Sequence, residues 1–215
     1  MPSELVLAVD PGLGTTGWCV WRLDEPRPGG YVASGHFHPP GTELPLDHRV
    51  LEAFVRLKCA LRDEAVDLAE IAVCVVENDD QRPVMRDRKS HIRLFDLCGG
   101  FLGWASAQGW DTRFVTSAEW KPTRWKNERR LAKRRRGKFD DKAASLAEAN
   151  VALRVGKQIT DHNEADAILI AHWAVSANFV RHILEREGRE GLLANAAVEK
   201  NSQLCPQWPR LARRG

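Results

Sequence analysis

The chain has 215 residues, enough for one domain with some length left for arms or tails, and its hydrophobic fraction of 43% is that of a protein that buries a core. A formal net charge of +3 excludes a uniformly acidic or basic chain, so any surface for a polyanion has to come from local clustering. The five cysteines, Cys19, Cys59, Cys74, Cys98 and Cys205, are widely spaced with no C-x-x-C pair, which excludes a disulfide framework and a zinc site and suggests a reducing compartment.

Leu5 to Val9 is continuously apolar and runs into Asp10-Pro-Gly, the pattern of a strand buried on both faces and ended by a turn. Trp18 to Leu23 and Tyr31 to Phe37 read as two further strands in an antiparallel meander, joined by the turn-rich stretch Asp24 to Gly30. Leu46, Val50, Leu51, Phe54, Leu57 and Leu61 recur at helical spacing. Ile71 to Val76 is a fourth strand, ended by Glu77. A polar loop from Asn78 to Ser90 follows, then a helix over Ile92 to Gln108 and a short strand over Thr112 to Val115. Residues 121–142 are densely basic. A helix is expected from about Lys142 to Ala149, and a last strong element from His162 to Glu187. Residues 1–187 are expected to form one domain, and 188–215, ending in a Pro- and Arg-rich stretch, a mobile tail. No apolar run approaches the roughly 18 residues needed to span a membrane, and no signal peptide is visible, so a soluble, cytoplasmic protein is expected.

Three acids stand where the hydrophobic pattern does not favour a charge. Asp10 and Glu77 end apolar strands, and Asp166 shares a helical stripe with Ile170, Trp173 and Ala177. Each alone has an ordinary reading: a turn former, a loop acid, a helix acid paired with an arginine. Together they need a compensating positive charge, because isolated buried carboxylates are costly. Oxygen ligands point to Mg²⁺ or Mn²⁺. His162 and Asn163 lie four and three residues before Asp166 and share its face, so either is a candidate fourth ligand. Glu164 lies about 200° away around the helix, and Asp161 suits an N-cap.

Ala8-Val9-Asp10-Pro11-Gly12 with Thr16-Gly17-Trp18, then Val75-Val76-Glu77, then Asp161-His-Asn-Glu-Ala-Asp-Ala-Ile-Leu-Ile-Ala171, resemble in order and spacing the motifs of RuvC-like Holliday-junction resolvases. Phe114 to Lys121 with Lys142-Ala-Ala-Ser145 is similar to the bacteriophage- and prophage-type branch. The resemblance covers about residues 4 to 180. It implies an α/β, RNase H-like fold: a mixed five-stranded sheet with helices on both faces. It further implies two-metal hydrolysis of branched or four-way DNA, with Asp10, Glu77 and Asp166 as catalytic acids on two Mg²⁺ ions and 5′-phosphate and 3′-hydroxyl products. A homodimer is expected, since two strands are cut symmetrically. Two departures stand out. Asn163 occupies a position where many members carry an acid or histidine, and the loop after Glu77 offers Met85 and arginines but no aromatic wedge before Phe95.

Eleven Lys or Arg lie between Lys121 and Lys142, opposed by Glu128, Asp140 and Asp141 alone. A run of charge is often only a solvated face, but this density suits DNA phosphates. Lys121, Arg134, Arg135, Arg136, Lys138 and Lys142 are the candidate contacts. Trp120 and Trp125 either stack on bases or belong to the core. His36 and His38 lack a third metal ligand, and the Gly-rich loop around Thr15 and Thr16 lacks the lysine of a phosphate loop. The competing functions are a less selective nuclease on replication or packaging intermediates and a catalytically weakened DNA-binding protein. An actin-like or sugar-kinase-like ATPase needs two such domains, for which 215 residues are too few.

Overall fold

The computed structural model describes residues 4–25, 28–38, 45–78, 88–135, 137–153 and 158–176. Residues 79–87 of the polar loop after Glu77, Arg136, and everything after Ser176, including the expected tail, lie outside the described residues. In chain order the elements are β1 (Leu5–Asp10), β2 (Thr16–Arg22), β3 (Tyr31–Phe37), α1 (Leu46–Asp63), β4 (Ile71–Glu77), α2 (Arg88–Ala107), β5 (Asp111–Val115), α3 (Ser117–Trp120), α4 (Thr123–Arg134), α5 (Asp141–Leu153) and α6 (His162–Ser176). The five strands form one sheet in the order β3-β2-β1-β4-β5. β1 pairs antiparallel with β2, and β2 with β3, while β4 runs parallel to both β1 and β5. The expected mixed sheet is therefore the observed one.

Alternation along the strands divides the core in two. Leu5, Leu7 and Val9 of β1, with Cys74 and Val76 of β4, face α1 and α2. Val6 and Ala8, with Val73 and Val75, face the opposite layer, where α5 and α6 pack. Both faces are covered by helices, which is why these strands are apolar at every position instead of every second one. Cys19, Cys74 and Cys98 are buried packing thiols. Among the described residues no helix is long and apolar enough to cross a membrane.

α6 lies between the sheet and α5 and is buried on nearly all sides. Its alanines at 165, 167, 171 and 174 let it sit close to its neighbours. The approach is tightest at Gly17 of β2. A Cβ there would stand 2.0 Å from the Asn163 carbonyl oxygen and 2.7 Å from the Glu164 amide nitrogen. Only glycine admits the helix backbone at that height.

The basic segment contains a helix, α4, that the charge density concealed. Lys and Arg are good helix formers, and Trp125, 1% exposed, anchors α4 by donating from Nε1 to the buried Glu148 carboxylate at 3.0 Å. Arg129 reaches Asp141 and lies over the Phe139 ring, tying α4 to the start of α5.

Candidate metal centre

The period of two that points Val6 and Ala8 toward α6 gives Asp10 the same face, and Val73 and Val75 do the same for Glu77. β1 and β4 are parallel neighbours in which Val9 is level with Val76, so the two acids that follow stand side by side. They lie at the carboxyl ends of the strands, where open α/β sheets leave room for ligands. The third acid arrives through Gly17. That residue pairs with Asp10 across the β1–β2 hairpin and carries the first turn of α6 on its bare Cα. One turn further on is Asp166.

The electrostatics register this convergence. Asp10 is held well above the usual carboxylate range, first by burial, then by the charges of Glu77 and Asp166 and a hydrogen bond shared with Glu77. Asp166 is pushed up to about 6, chiefly by burial. A hydrogen bond from Ser145 and the charge of Lys121 pull it down, while Glu77 and Asp141 push it up. Lys121, seated over the Trp120 ring, acts on both Asp10 and Asp166. Glu77 is 5% exposed and accepts a hydrogen bond from Trp120 Nε1 at 3.2 Å. Asp166 Oδ1 is buried without a hydrogen-bond partner.

That orphaned oxygen, together with Asp10 and Asp166 both held above the usual carboxylate range by burial and neighbouring charge, suits a bound cation. Hard carboxylate oxygens fit Mg²⁺ or Mn²⁺. Among the described residues no three His, Cys, Asp or Glu side chains already surround one centre.

The other residues singled out from the sequence are placed as follows. Asp161 caps α6, its Oδ1 accepting from the amides of Asn163 at 2.9 Å and Glu164 at 3.1 Å. The Asn163 side-chain amide also donates to that oxygen at 3.3 Å, a contact it would give up to serve a metal. His162 is held below its usual range by burial and by Lys142, with Asp161 opposing. Arg134, Arg135, Lys138 and Lys142 are exposed. Trp120 and Trp125 are core residues, which removes them as stacking platforms. Their indole N–H groups instead hold Glu77 and Glu148. Glu164 is buried on the β3 side, in agreement with its place off the Asp166 face. Sequence reading missed the bond of Trp120 to Glu77, that of Ser145 to Asp166 and the β3 contacts of Glu164.

The raised acids predict a pH dependence. A carboxyl group whose folded pKa exceeds its unfolded one adds stability that is fully present below the unfolded value. That contribution is lost as pH rises through about 6, the value for Asp166. Without metal, calorimetric melting is expected to show this loss across that window, and Asp166→Asn to remove most of it. Mg²⁺ should raise the melting temperature above the window and have little effect below, where protons compete for the same oxygens. An Mg²⁺ effect that does not change with pH would contradict this.

Sequence comparison finds no matching family model and no matching curated protein. The structure is similar to RuvC of Thermus thermophilus in complex with a Holliday junction substrate, with TM-score 0.53 at 15% identity over 86% of this chain and 96% of that one. A second structure of T. thermophilus RuvC gives TM-score 0.52 at 15% identity, over 86% and 97%. The yeast mitochondrial Holliday junction resolvase Ydc2 gives TM-score 0.41 at 14% identity, over 87% and 85%. The fold is thus RuvC-like, within the RNase H-like class.

Proposed function

We propose that this chain is a divalent-metal-dependent endonuclease that cuts branched DNA, with the four-way junction as its substrate class. The observation that carries this reading is the meeting of Asp10, Glu77 and Asp166 at the carboxyl ends of β1 and β4, with a buried Asp166 oxygen left over. Those three side chains would hold two Mg²⁺ or Mn²⁺ ions, joined by Asn163 or His162. Bound there, such ions supply activation of a water and stabilisation of charge on the leaving oxygen, giving 5′-phosphate and 3′-hydroxyl ends. The chain's own residues prepare the site. Trp120 fixes one oxygen of Glu77, Ser145 fixes Asp166, and Lys121 balances the acids at the place a phosphate would approach. A homodimer in the cytoplasm, cutting two strands symmetrically, completes the reading.

The deciding experiment incubates purified protein with four-way junction, linear duplex and single-stranded DNA, with and without Mg²⁺. Metal-dependent cutting of the junction is expected. Equal cutting of all three substrates would favour the less selective nuclease. Binding without cleavage in Mg²⁺ and Mn²⁺ would leave a DNA-binding protein.

The exposed cations at the end of α4 extend this reading to the DNA backbone. Replacing Arg134, Arg135 and Arg136 together by alanine should lower the slope of log affinity against log salt by roughly 0.9 per lost phosphate contact. Affinity should fall equally for unrelated sequences, since phosphate contacts carry no base information. An unchanged slope in Ca²⁺ binding measurements would take these residues out of the interface.

A further inference from the structure

We infer that Glu164 is a positioning residue, a buried clamp to β3 that sets the rotation of α6 about its axis and thereby the aim of the Asp166 carboxylate. The inference rests on the metal-centre reading above. Glu164 is 5% exposed. Its Oε1 accepts from Ser34 Oγ at 2.7 Å, and its Oε2 lies 3.3 Å from His36 Nδ1. The Tyr31 hydroxyl stands 3.0 Å from Ser34 Oγ, so two residues of β3 hold one carboxylate of α6 and a third backs Ser34.

A buried carboxylate is retained at a cost, and apolar side chains hold a helix more cheaply. What it adds here is direction. In the first turns of α6 the buried residues beside Glu164 are Ala165 and Ala167, which let the helix approach closely but give few projections to lock its rotation there; the larger Ile168, Leu169 and Ile170 pack further along. Gly17 and the Asp161 cap fix the height of the first turn. Neither opposes rotation as a side chain gripped on one flank does. Glu164 and Asp166 are about 200° apart around the axis, and side chains reach about 5–6 Å from it. A rotation of about 20° at that radius moves a carboxylate by about 2 Å. Metal–ligand distances tolerate only about 0.2 Å. Its place away from the Asp166 face would alone make Glu164 an inert control, and its grip on β3 removes that status.

The test measures Mn²⁺ binding to the DNA-free full chain by electron paramagnetic resonance, for wild type, Asp166→Asn, Ser34→Ala, Glu164→Gln and Glu164→Ala. Ser34→Ala and Glu164→Ala are expected to weaken Mn²⁺ binding about tenfold or more, the usual scale for losing a residue that orients a metal ligand. Their circular dichroism should stay that of wild type. Glu164→Gln keeps an acceptor for Ser34 and should recover part of the affinity. In junction cleavage the same variants should need more Mg²⁺, and excess metal should restore part of the rate. Wild-type Mn²⁺ affinity in folded Ser34→Ala and Glu164→Ala would overturn the clamp, even if their melting temperatures fall. Should Glu164→Ala not fold, Ser34→Ala and Glu164→Gln decide by the same measure. Wild-type protein that binds no Mn²⁺ would overturn the metal-centre reading itself, and the clamp with it.

Discussion

Asp166→Asn is expected to lower junction cleavage at least about 100-fold while leaving junction binding in Ca²⁺ intact. The substitution keeps the shape of the side chain and removes the negative charge that would hold a cation at the buried Oδ1. A hundredfold loss corresponds to about 2.7 kcal/mol of transition-state stabilisation, modest against what metal ions supply. Asp10→Asn and Glu77→Gln should behave alike. The same variants carry a second, opposite signature. Asp10 and Asp166 are crowded, desolvated acids: the charges of Glu77 and Asp166 raise Asp10 further, and those of Glu77 and Asp141 raise Asp166. Neutralising either relieves that repulsion, so Asp10→Asn and Asp166→Asn should melt higher than wild type in chelator at neutral pH. A variant less active yet more stable is the mark of a site kept for chemistry rather than for folding. Near-wild-type cleavage by any of the purified variants would sink the assignment.

Gly17→Ala is expected to destabilise the protein by about 3 kcal/mol, the upper part of the usual cost of overpacking, and to abolish cleavage. Most added methyl groups meet flexible side chains that can turn aside. Here the methyl would meet backbone: the Asn163 carbonyl at 2.0 Å and the Glu164 amide at 2.7 Å. Relief requires moving the first turn of α6 off β2, and Asp166 moves with it. Activity should therefore be lost even where the variant remains folded. Gly14→Ala, in the loop that leads into β2, is the matched control, because a Cβ at Gly14 meets nothing within 4 Å. Paired urea melts and cleavage assays check both. A Gly17→Ala protein that cuts junctions at the wild-type rate would show that α6 need not rest where it does.

Much of the candidate site was legible because its acids interrupt patterns. Asp10 and Glu77 close runs that are otherwise apolar, and the strand period alone assigns them to one face of the sheet. Asp166 was legible for the same reason on a helix, and the Asp161 cap from its place at the helix start. What could not be read depends on partners distant in sequence. Nothing near Trp120 says that its indole reaches Glu77, 43 residues earlier. Nothing near Ser34 says that it meets Glu164, 130 residues later. The basic stretch hid α4 because its charge outweighed the signal of Trp125, the buried residue that anchors the helix to Glu148. The closeness of Gly17 to α6 likewise left no local trace beyond the glycine itself.

The separation between Ser34 and Glu164 has a consequence for how the molecule is made. The β1–β2–β3 meander closes over short stretches of chain, and its neighbours β4 and β5 are added in order. α6 must return across some 130 residues to dock beside β2 and β3. Long-range contacts of this kind are slow, because the entropy of closing the intervening chain is lost before they form. On a ribosome, all five strands emerge before the helix that carries Asp166. A nascent or truncated chain lacking α6 therefore holds two of the three acids and no completed centre. The three acids come together only when α6 has docked across that long stretch of chain.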